Sequence, residues 1–567
     1  MRSSKNLNYI VAKFQEEKAS RKLELLRKKE EEESVKILSD KYGISYADLT
    51  KTPVEIDAIK ILPEDKARAG ELAVFQSTGK NLKIGVRNPE KNETLAILKR
   101  LSGDQYTYDL FLVSRSGLKR AWEFYHQVPE EHPGEVGAIQ ISPAKLASLQ
   151  KEIIDLNDVK SRIEKTFPAK VTTEVLEIIL AGALVTDASD IHLEPQEENV
   201  RLRFRLDGVL NDITLLPSRL YQLLLSRLKL ISELKLNIRD RAQDGRFTIK
   251  TGEGADIEVR VSTLPGPQGE NVVMRVLNPK VIKITFEELG MQPWVQETMN
   301  KELKKPTGMI LTTGPTGSGK TTTLYAFLKK IHTPDIKIIT IEDPIEYHIT
   351  DIEQTQVDSE KGYDFSNGLR AIVRQDPDII LVGEIRDFET AETAMHAALT
   401  GHLVFSTLHT NDAAGTIPRL LDLGVKSAII APAINISMAQ RLVRRLCLNC
   451  RKEEKIDVKK RRELEKELAE FPEKISAPDP AKWTVFKAPN QGCSICHNTG
   501  YKGRVGIFEI ILINEEIEHL ILKEPSEFEI KKASRTQGQI TMRQDGILKV
   551  LAGITDFSEL ERVVGSF

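Results

Sequence analysis

The stretch GPTGSGKTTT, which follows the apolar run GMILTT, has the residue types and spacing of a phosphate-binding loop. It fits the pattern GxxxxGK[ST], with a predicted strand before it and a predicted helix after it. The loop amides would cradle phosphates, Lys320 would reach the terminal phosphates, and the Thr321 hydroxyl would ligate magnesium. The pattern predicts that ATP and Mg2+ are bound by Gly314, Pro315, Thr316, Gly317, Ser318, Gly319, Lys320, Thr321 and Thr322.

Acidic residues follow two further predicted strands. The segment IKIITIEDPIEY leads into Glu342, Asp343 and Glu346, and DIILVGEIRD brings Glu384 to the end of a strand. Because ligands of an open parallel sheet sit beyond the carboxyl ends of its strands, both clusters are expected at the edge that carries the glycine loop. Hydrolysis needs a carboxylate to position water and a group to hold the magnesium shell. A solvated acidic turn is the alternative for either cluster alone.

Two histidines flank a further apolar strand in TGHLVFSTLHTND. His402 precedes the strand and His409 follows it, so an extended chain would separate them by about 23 Å and they would not share one metal ion. If this strand lies in the same parallel sheet, His409 stands at the phosphate edge and can detect the γ-phosphate. His402 then lies at the opposite edge, where a structural role or a subunit contact is expected.

The four cysteines form two Cys-x2-Cys pairs, Cys447 with Cys450 and Cys493 with Cys496, and 42 residues separate the pairs. Two such knuckles are typical of a structural zinc site with four thiolate ligands. Four unrelated thiols are the alternative. The charged segment between the knuckles is longer than a compact site needs, so a protruding subdomain is expected.

Composition and charge restrict the binding partners and the cellular location that the sequence allows. The chain has 567 residues, of which 40% are hydrophobic and 29% charged, and its net charge is −2. Neither nucleic acid nor an acidic membrane surface is expected to attract it. The sequence has no signal-peptide core and no run that resembles a transmembrane helix. A cytoplasmic location, with membrane association only through partners, is therefore expected.

The chain is too long for one core, and the predicted fold class is α/β with several domains. Five segments are expected: a charged arm at 1–33, a first N-terminal domain at 34–126, a linker at 127–165, a second N-terminal domain at 166–285, and an ATP-binding domain at 286–567 with a zinc subdomain near 445–500. The arm is predicted to be a solvated helix or disordered rather than a coiled coil.

Several motifs in order give a specific resemblance. GPTGSGKTTT, TIEDPIEY, LVGEIRD and TGHLVFSTLHTNDA resemble the Walker A, Asp, Walker B and His boxes of the secretion ATPase superfamily, the motors of type II secretion and type IV pili. Upstream, SDIHLEP, RFRLDGVL, QDGRF and VRVSTLPGPQGENVVMRVL resemble the PAS-like second N-terminal domain of the branch that drives assembly. The resemblance covers roughly residues 170–515.

The resemblance implies a hexameric ring of RecA-like domains preceded by smaller α/β domains, and an inner-membrane platform protein as partner. It also implies residue roles. Glu346 would be the general base, Glu384 would hold the magnesium water shell, and Arg260, Arg275 and Arg246 would reach the phosphates from the second N-terminal domain. Arg203 and Arg205 are expected to be structural.

The predicted function is therefore an ATPase that powers assembly of a type IV pilus or of a type II secretion pseudopilus. These motifs do not separate pilus from secretion. A signal-regulated adapter with a degenerate site is one alternative, but Lys320, Glu346 and Glu384 are intact. A DNA-translocating ring is another, but aromatic residues make up only 6% of the chain, fewer than a stacking channel would need.

Overall fold

A computed structural model describes residues 27, 30–78, 80–103, 106–127, 137–167, 172–251, 256–279, 283–472, 475 and 478–566. Most of the charged arm predicted at 1–33 lies outside the described residues. Its last part belongs to a helix over residues 30–42. Glu32 of this helix accepts a hydrogen bond of 2.6 Å from the Tyr46 hydroxyl and one of 2.5 Å from Ser114, which fastens the helix to the unit that follows.

The first unit is a four-stranded sheet with helices packed against it. Its strands are β1 (Ser45–Tyr46), β2 (Leu72–Thr78), β3 (Asn81–Val86) and β4 (Thr107–Leu112), in the order β1-β4-β3-β2. Only the β2–β3 pair is antiparallel. The helices are Ile56–Ile59, Glu64–Ala69, Asn92–Gly103 and Arg115–Glu123, followed by a 3-10 turn at Phe124–Gln127. This unit has its own apolar core.

The second unit is a seven-stranded sheet. Its strands are β5 (Ala138–Gln140), β6 (Asp190–Pro195), β7 (Asn199–Leu206), β8 (Val209–Pro217), β9 (Gln243–Lys250), β10 (Ile257–Gly266) and β11 (Gly269–Leu277), in the order β5-β9-β10-β11-β6-β7-β8. The helices are Pro143–Glu152, Leu156–Thr166, Thr172–Val185 and Ser218–Ile231. The alternation of NVRLRFRL gives β7 one buried and one polar face, as expected for a half-buried strand.

The structure differs from the linker predicted at 127–165. Strand β5 pairs with β9 at one edge of the second sheet, and two helices of this segment bury apolar side chains in the same core. Ile139, Leu149 and Ile163 are all buried there. Over residues 138–166 the segment is therefore part of the second unit, because its apolar residues cover that sheet rather than face water.

The third unit is a seven-stranded sheet that runs parallel except at one edge. Its main strands are β12 (Gly308–Thr313), β13 (Ile338–Glu342), β14 (Glu353–Gln356), β15 (Ile379–Val382), β16 (Leu403–Leu408) and β17 (Ile434–Leu446). A small pair, β18 (Lys452–Glu454) and β19 (Val485–Lys487), precedes β20 (Tyr501–Leu512). The order is β14-β13-β15-β16-β12-β17-β20, and only β20 is antiparallel to its neighbour.

Helices cover both faces of this third sheet. Ile310 and Phe405 pack on one face, and Met309 and Val404 pack on the other, so the apolar runs of β12 and β16 are buried on both sides. The helices are Pro293–Glu302, Lys320–Ile331, Phe365–Val373, Phe388–Leu399, Thr416–Asp422, Ser427–Ala433, Val458–Ala469, Glu515–Ile521, Glu527–Ser534, Met542–Leu551 and Phe557–Val564. Short 3-10 turns lie at Glu287–Leu289, Ser359–Lys361, Pro480–Lys482, Ser494–Cys496 and Arg535–Gln537.

The charged insertion between the cysteine pairs packs on the third unit instead of protruding from it. Leu464 and Leu468, one helical turn apart on Val458–Ala469, are buried in the core that includes the C-terminal helices. The Gln544 side chain donates to the Glu467 carbonyl over 3.2 Å, which fixes the same helix. The expectation of a protruding subdomain is wrong for this helix, since it has an apolar stripe to bury.

Within the described part of the chain, every helix is too short or too polar to cross a bilayer.

The buried position of residues 138–166 can be tested by truncating one side chain. Ile163→Ala should destabilise the second unit by about 2–5 kcal/mol, because Ile163 is fully buried and its loss leaves a cavity. Ile154→Ala is the matched control, since that side chain is 53% exposed in the same segment. Chemical unfolding of the full chain provides the measurement. Equal stability of the two variants would mean that the segment is a free linker.

Candidate nucleotide site and metal centre

The glycine loop follows β12 and leads into the helix Lys320–Ile331. Gly314, with φ +146°, lies so close to β17 that an added Cβ would sit 2.5 Å from the Gln440 carbonyl oxygen. Gly319 has φ +90°, a conformation that favours glycine, and it caps the helix. Side chains at these two glycine positions would fill the space around the loop. Because glycine leaves that space open, a phosphate can approach the backbone amides closely.

Two polar groups in this loop fit a bound polyphosphate. The Lys320 ammonium donates to the carbonyls of Gly314 at 2.8 Å and Pro315 at 3.2 Å. Burial lowers the pKa of Lys320, and the negative charge of Glu384 opposes that shift. The Ser318 hydroxyl is buried without a hydrogen-bond partner among the described residues. An anion at this loop would accept a hydrogen bond from Ser318 and would offset the positive charge of Lys320.

The structure brings Glu384 and His409 together at the carboxyl edge of the third sheet. Glu384 follows β15, His409 follows β16, and Glu384 Oε2 lies 3.4 Å from His409 Nε2. Arg386 also contacts the Glu384 carboxylate, and its other nitrogen lies 3.7 Å from Asp343. The neighbour Glu384 raises the pKa of Arg386 through a hydrogen bond. The three strands that precede these groups, β13, β15 and β16, run parallel to one another and to β12 before the glycine loop, so the predicted gathering at one edge is confirmed.

His402 lies at the opposite edge. Its Nδ1 is 2.9 Å from the Ala397 carbonyl oxygen, at the end of the helix Phe388–Leu399. A hydrogen-bonded histidine at this position fastens the helix to β16, which agrees with a structural role and with no contact to the phosphate edge.

Glu346 and Arg260 form an ion pair between the third and second units. Arg260 Nη1 lies 3.2 Å from Glu346 Oε2, and the same guanidinium donates to the Ile345 carbonyl. The neighbouring Glu342, by contrast, is buried and accepts hydrogen bonds from Thr340 at 2.6 Å, from Gln354 at 3.1 Å and from the Tyr325 hydroxyl. Glu342 therefore shapes the loop after β13, whereas Glu346 faces the joint between the units.

The three predicted arginines lie in one row across the second sheet. Arg260 on β10 pairs directly with Arg246 on β9 and with Arg275 on β11. Arg275 Nε lies 3.2 Å from Asp190 Oδ1, and Arg246 has no ion pair among the described residues. Like charges in directly opposite positions repel each other, so the row favours a bound anion.

Sequence reasoning missed two residues at this site. Asp190, which follows the serine of SDIHLEP, is buried and holds Arg275 on one oxygen and Arg205 at 3.2 Å on the other. Arg386 stands two residues after Glu384, and that spacing was the available signal. Arg203 pairs with Glu194, so Arg203 and Arg205 act within the sheet as expected.

The four cysteines converge on one point. Their Sγ atoms all lie within 4.8 Å of one another, with separations of 3.7 Å for Cys447–Cys493, 3.8 Å for Cys450–Cys496 and 3.9 Å for Cys493–Cys496. A tetrahedral zinc ion with Zn–S bonds of about 2.3 Å needs sulfurs about 3.8 Å apart. The four thiols therefore fit a closed structural zinc site.

Donors around the sulfurs suit thiolates. The backbone amides of Cys493 and Gly500 each donate to Cys496 Sγ over 3.2 Å, and the Asn449 side chain donates to Cys493 Sγ over 3.5 Å. Such hydrogen bonds stabilise negative charge on sulfur and orient the ligands.

Comparison with known proteins decides the family. The family model described as "Type II/IV secretion system protein" matches residues 168–562. The chain belongs to this family. It is 36% identical over 545 residues to the type IV pilus assembly ATPase PilB of Myxococcus xanthus, covering 95% of this chain and 91% of that one. It is 42% identical over 418 residues to the type II secretion system protein E of Pseudomonas aeruginosa, covering 74% and 80%.

Solved structures of secretion-system and pilus ATPases are also similar. The pilus retraction motor PilT with bound ADP is 27% identical, with 68% of this chain and 95% of that chain covered and a TM-score of 0.45. The ATPase DotB of Legionella pneumophila is 22% identical, with 68% of this chain and 94% of that chain covered and a TM-score of 0.49.

Family membership confirms several predictions from the sequence. As a type II/IV secretion system protein, the chain is an ATP hydrolase with an α/β, RecA-like sheet behind N-terminal α/β units. ATP and Mg2+ are its cofactors, and the geometry of the cysteine cluster fits zinc. The roles of individual residues are not decided by this membership and stay predictions.

Zinc content can be measured directly. Freshly purified protein should contain one zinc ion per chain, and Cys493→Ser should lose it, because a four-ligand site needs every thiolate. Residues 445–500 should then become sensitive to protease, since binding free energy in such sites is folding free energy. ATP affinity should change little, because the glycine loop follows β12 in a separate part of the core. Leu448→Ser, at a 77% exposed position between two ligands, should retain the metal. Metal-free wild-type protein would contradict the assignment.

Proposed function

We propose that this protein forms a homohexameric ring at the cytoplasmic face of the inner membrane and hydrolyses ATP to drive assembly of a type IV pilus. The observation that carries the proposal is the ion pair between Arg260 and Glu346. It joins the second unit to the carboxylate expected to activate water, so turnover depends on how the two units sit against each other. A motor needs such a dependence to convert hydrolysis into movement.

Coverage of the relatives favours the pilus over type II secretion. Three pilus assembly ATPases align with 91–95% of this chain. The type II secretion proteins E align with 69–74% of it. The pilus relatives therefore match more of the chain. Type II pseudopilus assembly is the second candidate, supported by the higher identity of 42% in the shared region.

The partner is an inner-membrane platform protein, with other components on the cytoplasmic side of the pilus machinery. We expect membrane association only through such partners. The alternatives of a signal-regulated adapter and of a DNA-translocating ring have less support. The adapter conflicts with the intact Lys320, Glu346 and Glu384, and the DNA motor conflicts with a net charge of −2.

The geometry suggests how the chain's own residues would act. Lys320 and the loop amides hold the terminal phosphates, and the Thr321 hydroxyl and Glu384 hold the metal and its water shell. When bound, Mg2+ neutralises charge on the phosphates. Glu346 takes the proton of the attacking water. Arg260 and its neighbours Arg246 and Arg275 stabilise the charge that develops, in the way of arginine fingers.

His409 completes this arrangement by detecting the γ-phosphate. Its Nε2 lies 3.4 Å from Glu384 Oε2, at the edge of the sheet that carries the glycine loop and would hold the γ-phosphate. ADP lacks that phosphate, so a contact with it distinguishes ATP from ADP.

The general-base role predicts the behaviour of Glu346→Gln. Steady-state turnover should fall by about 100-fold or more, the range that general bases supply. ATP binding should persist, because Lys320 and the loop are unchanged. Glu353→Gln, which alters an exposed carboxylate on β14, is the control and should turn over normally. Glu346→Gln protein that hydrolyses ATP at the wild-type rate would show that another group is the base.

The biological role is tested by deleting the gene in its source organism. The strain should lose surface pili, and wild-type protein but not Lys320→Ala should restore them. Secretion of folded proteins into the medium should continue. A strain that keeps its pili and loses secretion would favour the second candidate and contradict the first.

A further inference from the structure

The loop over residues 409–415, between β16 and the helix Thr416–Asp422, is fastened at both ends by side chains from elsewhere in the third unit. We propose that Lys531 and Glu509 are positioning residues for ATP hydrolysis, because they hold this loop and with it His409. The inference rests on the proposed role of His409 and adds how that histidine is kept in place.

The first half of the loop is attached to the strand that precedes the glycine loop. The Thr410 amide donates to the Thr313 hydroxyl over 2.8 Å, and the two threonine hydroxyls lie 2.7 Å apart. Thr313 is the last residue of β12 and directly precedes Gly314. These contacts keep His409 beside Glu384. They do not reach the second half of the loop, which is held by other residues.

The second half is held by two charged side chains from distant parts of the sequence. Asp412 Oδ2 lies 2.6 Å from the Lys531 ammonium, 119 residues further along the chain, and Asp412 Oδ1 accepts the Gly415 amide over 2.9 Å. The Ala413 amide donates to Glu509 Oε1 over 3.1 Å. Together they connect the loop to β20 and to the helix Glu527–Ser534.

Electrostatics make the Lys531 contact costly to lose. The Asp412 side chain is only 17% exposed, and a largely buried carboxylate needs a partner. Burial pushes the pKa of Asp412 up, but the hydrogen bonds from Lys531 and from the Gly415 amide outweigh it and lower the pKa. Without Lys531, the loop would gain by moving Asp412 towards water, and His409 lies only three residues away.

Glu509 links the same loop to the C-terminal helices. Its Oε2 accepts the Met542 amide over 3.3 Å, at the N-terminus of the helix Met542–Leu551. Burial raises the pKa of Glu509, Asp412 raises it further, and the two amide donors together with Lys531 lower it. A carboxylate that accepts from both sides fixes the spacing between the loop and this helix.

The test compares the affinities of full-length variants for ATP and ADP, together with kcat. Lys531→Met should lower the ratio of ATP to ADP affinity and reduce kcat about ten- to a hundredfold, as a displacement near 1 Å at a reacting centre can. Affinity for ADP should stay unchanged, because the glycine loop is intact. Lys531→Arg should restore most of the ratio. Lys532→Met, which removes the adjacent exposed charge, should behave as wild type.

His409→Ala is measured in parallel to separate the two hypotheses. If His409→Ala leaves the ratio of ATP to ADP affinity unchanged, His409 does not detect the γ-phosphate, and the inference about Lys531 and Glu509 is wrong as well. If it lowers the ratio and Lys531→Met does not, only the inference is wrong.

A second variant covers the case in which Lys531→Met fails to fold. Asp412→Asn keeps an oxygen for the Gly415 amide and removes the charge that pairs with Lys531, which retains Glu527 at 2.6 Å. It should lower the ATP to ADP ratio as Lys531→Met does, and the double variant should be no worse than either single one, because both remove the same ion pair. Effects that multiply in the double variant would overturn the proposal, as would a wild-type ratio in Asp412→Asn.

Discussion

The ion pair between Arg260 and Glu346 joins the arginine row of the second unit to the loop after β13 in the third unit. Arg260 is the middle member of a row in which Arg246, Arg260 and Arg275 lie directly opposite one another on neighbouring strands. Like charges in directly opposite positions destabilise a sheet, so negative charge close to the row stabilises it. Glu346 supplies that charge to Arg260 from the third unit, whereas Arg246 has no ion pair among the described residues. A polyphosphate between the units would supply the missing charge, so ATP binding and close approach of the units should stabilise each other.

The zinc centre contributes a second joint between the same units. The tight turn of the second knuckle places His497 and Asn498 at positive φ, where their side chains reach the Ile154 carbonyl at 2.8 Å and Asp155 at 2.6 Å. Five residues beyond the turn, the Gly503 amide donates to Asp207 over 3.0 Å. Metal binding that fixes this turn therefore also fixes groups that hold the second unit. The metal centre lies far from the glycine loop in sequence. It nevertheless contacts the second unit, whose movement relative to the third unit ATP hydrolysis would drive.

Local patterns predicted much of the site, because the glycine loop, the cysteine knuckles and the strand-end carboxylates depend on spacing along one segment. Parallel strand direction was enough to place His409 at the phosphate edge and His402 away from it. The linker prediction for 127–165 was wrong, because its first residues, QVPEEHPGEVG, have the prolines, glycines and charges of a linker. Strand β5, which follows them, has only three residues and gives no clear sequence pattern. The arginine row and the Asp190 contacts depend on strand register, which only the folded sheet reveals.

Strand β20 connects features that appear separate in the sequence. It begins at Tyr501, soon after Cys496, and at about 3.4 Å per residue its 12 residues extend roughly 40 Å as the antiparallel edge of the third sheet. Near its far end, Glu509 touches the loop that carries His409. The strand pairs with β17 along most of this length, with an irregularity in the register near Tyr501. The zinc knuckle and the loop that carries His409 are thus attached to one strand, so the response to nucleotide proposed for His409 would be linked through β20 to the contacts that the knuckle makes with the second unit.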